Sequence, residues 1–178
     1  MCALGSQAIL MSDIAPDSAI KPAATILILR DTPEFEVLMV KRHHQIDFAS
    51  GALVFPGGKS HDGDHHPDWV ENAVGFSAFD AVQRSLRIAA IREVFEEAGI
   101  LLARRRDGTG MGDQVAPLAL RKAVDAGEVS FLSVVKDLDA QIDLNALTVF
   151  ARWITPSMMP KRFDTWFYVA RAPEDQLA

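Results

Sequence analysis

The stretch from Asp80 to Ala98, "DAVQRSLRIAAIREVFEEA", constrains the fold most, because its apolar residues recur at the spacing of one helix and both its ends carry stop signals. Asp80 suits the N-cap, where a carboxylate accepts from backbone N–H groups that have no partner in the first turn. Gly99 suits the position just past the end, where the chain turns left-handed without a Cβ penalty. On a wheel of roughly 100° per residue, Ile88, Ile91, Val94, Phe95 and Ala98 gather on one side and are expected to pack on a sheet.

Strands for that sheet are readable on both sides of the helix. "AATILILRD" is a short apolar run with β-branched residues and reads as a buried strand, followed by a turn at "TPEF". "FEVLMVKR" (35–42) reads as the second strand of a hairpin, "HHQIDFASG" as a loop, and "ALVFPGG" as a third strand. "ALTVFARWITP" and "RFDTWFYVAR" read as two more strands joined by a turn at "SMMPK". Short helices are expected around 115–126 and 129–137, and "RRRDGTGMGD" reads as a loop with Arg104 to Arg106 as a solvated patch. Residues 59–78 mix Gly, Pro, Asp and His with little periodicity and look like an excursion from the core. The sum is an α/β (α+β) domain over 22–178, built as an α/β/α sandwich with a mixed sheet, after a loosely ordered extension over 1–21.

Composition narrows the function. Of 178 residues, 49% are hydrophobic and 24% charged, which is a globular balance rather than a disordered one. A net charge of −6 argues against a general nucleic-acid binder, yet leaves room for a small phosphorylated ligand held by a few cations. Cys2 is the single cysteine, so no disulfide framework exists and a reducing, cytoplasmic home is expected. No window reaches the length of a membrane span, and the first twenty residues lack the basic start of a secretory signal.

Within the helix, "REVFEEAGI" crowds Glu93, Glu96 and Glu97 opposite the apolar side. Glu93 and Glu97 form an i, i+4 pair of like charges, which costs a few tenths of a kcal/mol. All three lie near the helix C-terminus, where the macrodipole disfavours negative charge. Local stability therefore does not explain them. A hard divalent cation would, because Mg²⁺ prefers carboxylate oxygens and leaves positions for substrate phosphates. Ala89 and Ala90 on the preceding turn are expected to leave room for backbone or a ligand to approach, and Arg92 to steady Glu93. The glutamates alone are equally compatible with a solvated acidic face.

"REVFEEAGI" also fits the second half of the Nudix box, R-E-U-x-E-E-x-G-U with U apolar, at every specified position. "FPGG", ending at Gly58, resembles the glycine-rich opening of that box. Gly58 and Arg92 are 34 positions apart, so about twenty residues are inserted relative to the usual pattern. The first Glu of the box consequently has no aligned counterpart, and Asp62 and Asp64 are the candidates for its stand-in. The resemblance implies a Nudix-type sandwich, apparently short of its C-terminal strand and helix. It further implies that Glu93, Glu96 and Glu97 carry Mg²⁺ or Mn²⁺, which holds a diphosphate while water attacks phosphorus. Arg92 joins them as a catalytic-site residue, and Gly57 and Gly58 let backbone approach without an obstructing Cβ.

The segment before the glycines resembles the signature of coenzyme A diphosphatases, with Arg42, Gly51, Phe55, Pro56, Gly57 and Gly58 at the expected spacing. Asp47 stands where that signature has a second Arg, and His43 where it has Ser. "AAIREVFEEAGILL" and "KRFDTWFYVA" are similar to a peroxisomal-type coenzyme A diphosphatase subgroup that also has a long insertion within its box. Coenzyme A or an acyl derivative is the expected substrate, with Arg42, Lys59 and Arg162 as candidate phosphate contacts, and a homodimer is expected. ADP-ribose or another nucleotide diphosphate is the alternative substrate, and a binding module without catalysis the alternative function.

Other features carry less. His43, His44, His61, His65 and His66 match no structural zinc spacing and read as a partly solvated loop. Trp69 and Phe76 are expected to tack the excursion to the core. Met158, Met159 and Trp153 read as core or turn packing, or as an acyl-binding surface.

Overall fold

The computed structural model describes residues 19–31, 33–41, 51–112 and 117–176. The extension as far as residue 18, Arg42, His43, His44 and the first residues expected of the helix at 115 lie outside that set. In chain order the elements are β1 (Lys21–Arg30), β2 (Glu36–Val37), β3 (Val40–Lys41), β4 (Leu53–Val54), β5 (Gly57–Lys59), α1 (Trp69–Asn72), β6 (Ala73–Val74) and α2 (Ala81–Ala98). There follow β7 (Ala103–Arg105), α3 (Leu118–Asp125), α4 (Phe131–Asp137), β8 (Ala140–Asp143), β9 (Thr148–Ile154) and β10 (Phe163–Arg171).

The main sheet is mixed, as expected. β1 runs parallel to β10 from Lys21↔Phe163 to Leu29↔Arg171. On its other edge, β1 pairs antiparallel with β5 near its start and with β2 near its end. β9 closes the order, antiparallel to β10. The single strand expected over 35–42 is instead broken, since β2 pairs with β1 whereas β3 turns away to pair with β4. A second sheet, β6–β8–β7, has no counterpart in the sequence reading. Its strands β6 and β8 are parallel and far apart in the chain, so local periodicity does not reveal them.

α2 has the ends its sequence specifies. Asp80 accepts from the Gln83 N–H at 2.8 Å, and Gly99 adopts φ +80° with its N–H on the carbonyls of Val94 and Phe95. The one-sided helix is corrected, however. Every residue from Ser85 to Arg92 is buried. Ala24, Ile26 and Ile28 of β1 join its core on one side, while Phe131 of α4 meets Phe95 at 5.4 Å between ring centroids. Ala89 and Ala90 are small because other elements pack against them, and both are fully buried rather than open to a ligand. Arg87 is buried too, donating to the Leu144 and Leu147 carbonyls and lying 3.9 Å over the Phe79 ring. The opposite face of the main sheet, carrying Thr25, Leu27, Leu29 and Phe167, is half-buried.

Residues 59–78 are an integrated part of the fold rather than a loose excursion. Trp69 is buried, donates from its indole N–H to the Gly63 carbonyl at 2.9 Å and packs on Phe131 at 5.8 Å between centroids. Phe76 is half-buried beneath Arg84. His61 and His66 accept from nearby backbone N–H groups through Nδ1, and His65 bonds Ser60, so these rings shape turns. Of the arginines read as a solvated patch, Arg104 and Arg106 are exposed as expected and Arg105 is half-buried, and all three have partners. Arg106 reaches Asn72 and Asp139, Arg105 the Leu138 carbonyl and Arg104 Asp143. Trp153, Met158 and Met159 are exposed, and so are not core residues. No described helix is long and apolar enough to cross a membrane.

Candidate active site

The site forms where β5 crosses the C-terminal half of α2. β5 is held to β1 by Ala24↔Gly58 and Thr25↔Gly57 pairing, and its two glycines let it lie against the glutamates. The Gly57 N–H donates to Glu97 Oε2 at 3.3 Å. A Cβ on Gly58 would fall on the Glu93 carboxylate, whereas one on Gly57 would meet the Ala24 carbonyl and the Thr25 backbone. Gly57, Gly58, Glu93, Glu96 and Glu97 are thus brought together.

Arg92 organises the set. Its Nη1 donates to Glu93 at 2.9 Å and to both oxygens of Glu96 at 3.0 and 3.1 Å. Its Nε and Nη2 donate to Asp64 at 3.1 and 3.3 Å, and Nη2 also donates to the Lys59 carbonyl at 2.9 Å. Arg92 therefore steadies Glu96 and Asp64 as well as Glu93. Burial opposes its charge, but the surrounding carboxylates outweigh that and hold its pKa above the ordinary value. Burial likewise pushes the Glu93 carboxyl up against the pull of Arg92, and pushes Glu96 up to about 7.

Other sequence candidates fare differently. Lys59 reaches the site through its carbonyl. Arg162 donates from Nε to the Thr155 carbonyl near the β9–β10 turn. Arg42 lies outside the described residues. With Glu93 and Glu96 turned onto Arg92, no three carboxylate or imidazole groups among the described residues close around a common point.

A cavity of about 700 Å³ opens beside this cluster. Glu96, Glu97, Asp125 and Lys41 are its charged lining, and Met39, Leu53, Val54, Phe55 and Phe167 are among its apolar lining. Asp125 and Arg121, both on α3, were missed in the sequence. Arg121 donates from Nε to the Glu96 carbonyl at 3.1 Å and from Nη2 to the Glu97 carbonyl at 2.6 Å, satisfying the open end of α2. The only local signal for Asp125 was a negative charge at a helix C-terminus.

A family profile described as the NUDT19 Nudix domain matches residues 80–175, more than half of the chain. The acyl-coenzyme A diphosphatase NUDT19 of Homo sapiens is 29% identical over 177 residues, covering 76% of this chain and 47% of that protein. The protein of the same name from Gallus gallus is 27% identical over 205 residues, with 84% and 54% covered. The chain thus spans about half the length of these curated relatives. Among solved structures, a NUDIX hydrolase from Alicyclobacillus acidocaldarius superposes with a TM-score of 0.73 at 29% identity, covering 89% of this chain and 74% of that one.

Proposed function

The chain belongs to the Nudix family, in its NUDT19 Nudix domain group, and from that premise we propose that it is a metal-dependent pyrophosphohydrolase acting on coenzyme A or acyl-coenzyme A. One observation carries the reading: Glu93 and Glu97 lie against the Gly57–Gly58 backbone, and Glu97 and its neighbour Glu96 also line a cavity with apolar residues. The relatives named acyl-coenzyme A diphosphatase support the substrate class.

The donor set fits a hard divalent cation, Mg²⁺ or Mn²⁺. All three side chains offer carboxylate oxygens, and the Arg92 guanidinium already serves as a positive partner to two of them. Glu93, Glu96 and Glu97 are the residues that would hold the cation. When bound, it would offset the negative charge of the diphosphate and activate the attacking water. The protein's own groups do the rest. Arg92 fixes the Glu93 and Glu96 side chains, and the glycines allow the diphosphate to approach the β5 backbone. Lys59 and Arg42 are read as phosphate contacts, and the apolar lining as the seat of the pantetheine or acyl portion. Net, water adds across the P–O–P bond, giving an adenosine bisphosphate and a phosphopantetheine.

The reading takes 22–178 as one Nudix domain, cytoplasmic and homodimeric, with neither nucleic acid nor membrane as partner. The decisive experiment is a panel of coenzyme A, an acyl-coenzyme A, ADP-ribose, a dinucleoside polyphosphate and a capped nucleotide, each assayed with Mg²⁺ or Mn²⁺ and with chelator. Cleavage of the coenzyme A compounds that stops with chelator and in Glu97→Gln is expected. Cleavage of ADP-ribose alone would replace the substrate class, and equal turnover by Glu97→Gln would overturn the catalytic assignment.

A further inference from the structure

We propose, resting on the acyl-coenzyme A reading above, that Trp153 is a specificity residue for the acyl chain, which leaves the cavity over Phe167 and crosses the open face of the main sheet to β9. Strand register sets this path. Thr25 and Phe167 both line the cavity and are partners across β1 and β10. Phe167 is in turn the partner of Ala151 on β9, and Thr165, two residues back along β10, is the partner of Trp153. Cross-strand partners share a face of the sheet, as do residues two apart on one strand. Trp153 is therefore on the face of Phe167, turned away from α2, one strand over and about 7 Å along. Ala151 and Thr165 complete that quartet with small side chains, so neither ring is walled off from the other.

The fold makes no use of this indole. Trp69 is buried and Trp166 half-buried, whereas Trp153 is 67% exposed. Its ring makes no aromatic or cation–π contact with any described residue. An indole left in water forgoes a large apolar burial, which a ligand laid across it would restore. The charged side chains of this stretch lie on the other face, where Arg152 pairs with Asp164 and sits 5.0 Å from the centre of the Trp166 ring. An acyl chain on the Trp153 face therefore desolvates no ion pair there. Inside the cavity, Lys41, Glu96, Glu97 and Asp125 make a poorer seat for it. The order from charged lining through Phe167 to Trp153 matches the order of the ligand, diphosphate first and acyl chain last.

The test takes coenzyme A, acetyl-coenzyme A and decanoyl-coenzyme A as substrates of the full chain with Mg²⁺, and reads KM and kcat separately. Wild type is compared with Trp153→Ser, Trp153→Phe and Phe35→Ser. Phe35 is 69% exposed, precedes β2 and is not part of the cavity lining, so its variant removes an exposed aromatic ring elsewhere. Trp153→Ser is expected to raise KM for decanoyl-coenzyme A about tenfold while leaving kcat, and both constants for coenzyme A, within about twofold. Trp153→Phe should recover most of the loss, and Phe35→Ser should match wild type. An unchanged KM for decanoyl-coenzyme A in Trp153→Ser, or an equal rise for coenzyme A or in Phe35→Ser, would overturn the proposal and leave the substrate reading intact. So would unchanged acyl selectivity with loss of a dimer on sedimentation of Trp153→Ser, which would give this face to a second copy of the chain. A wild type that cleaves neither coenzyme A nor its acyl derivatives would overturn the substrate reading and this proposal with it.

Discussion

Arg92 and Asp64, 28 positions apart, form a buried ion pair in which Nε donates to Oδ1 at 3.1 Å, with 4% and 1% of the two side chains exposed. Through it the insertion enters the site, since the same guanidinium holds Glu93 and Glu96. Of the two acids considered for the missing first Glu of the box, Asp64 is buried against Arg92 and Asp62 is exposed. Asp64 is therefore the residue that balances Arg92 from outside the helix.

Asp64→Asn should destabilise the protein by about 3 kcal/mol, because removing one member of a buried pair leaves a charge short of compensation. The two glutamates remain on Arg92, which keeps the loss at the lower end for such pairs. Asp62→Asn should stay within about 0.5 kcal/mol. Urea unfolding of both variants, compared by midpoint at constant slope, checks the contrast; equal midpoints would reject it.

Trp69 anchors the segment that carries Asp64, so the two should not act independently. Trp69→Ala is expected to cost about 3–5 kcal/mol, as for other buried aromatic truncations. The double variant with Asp64→Asn should lose less than the sum, by about 0.5–3 kcal/mol, because one loosened segment cannot be loosened twice. A double-mutant cycle measures the coupling. Strict additivity would show that Asp64 is held without the help of Trp69.

What was legible in the sequence was what local pattern encodes. The ends of α2 followed from Asp80 and Gly99, and the contact of Arg92 with Glu93 from their adjacency, whereas the contact of Arg92 with Glu96 was not foreseen. The β1 and β10 strands followed from apolar runs. What escaped depends on contacts between distant segments. Residues 59–78 carry no periodicity because Asp64, Trp69 and β6 are held by Arg92, Phe131 and β8, none of them nearby in the chain. For Ala89 and Ala90 the sequence left backbone and ligand open as neighbours, and the choice was invisible because the elements that bury them are distant in the chain. Asp125 was silent because it shares a cavity lining with Glu96 and Glu97 from a different helix.

Glu96 sets a pH dependence with a definite sign. Burial pushes its carboxyl to about 7, above its ordinary 4.5, so the native state binds this proton more tightly than the unfolded chain does. The contribution is full below about pH 4.5 and is lost as pH rises through 7. In chelator, Tm should therefore fall between pH 5 and 8 more steeply in wild type than in Glu96→Gln, by on the order of a few °C. Mg²⁺ should raise Tm more at pH 8 than at pH 5, because the ionised carboxylate is the form that it stabilises. Parallel melting curves for the two proteins would refute this account.

Gly57 and Gly58 are adjacent, yet alanine should affect them differently. At Gly57 a new Cβ would lie 2.8 Å from the Thr25 Cα, and backbone in a paired strand cannot yield cheaply. Gly57→Ala should therefore lose about 1–3 kcal/mol of stability, as overpacked cores do. At Gly58 the obstacle is the end of the Glu93 side chain, which can swing aside. Gly58→Ala should stay folded, within about 1 kcal/mol of wild type, while displacing Glu93 and weakening Mn²⁺ binding and turnover together. Urea unfolding beside a metal titration separates the two effects. A Gly58→Ala protein that binds Mn²⁺ as wild type does would show that Glu93 does not need its present position to serve the metal.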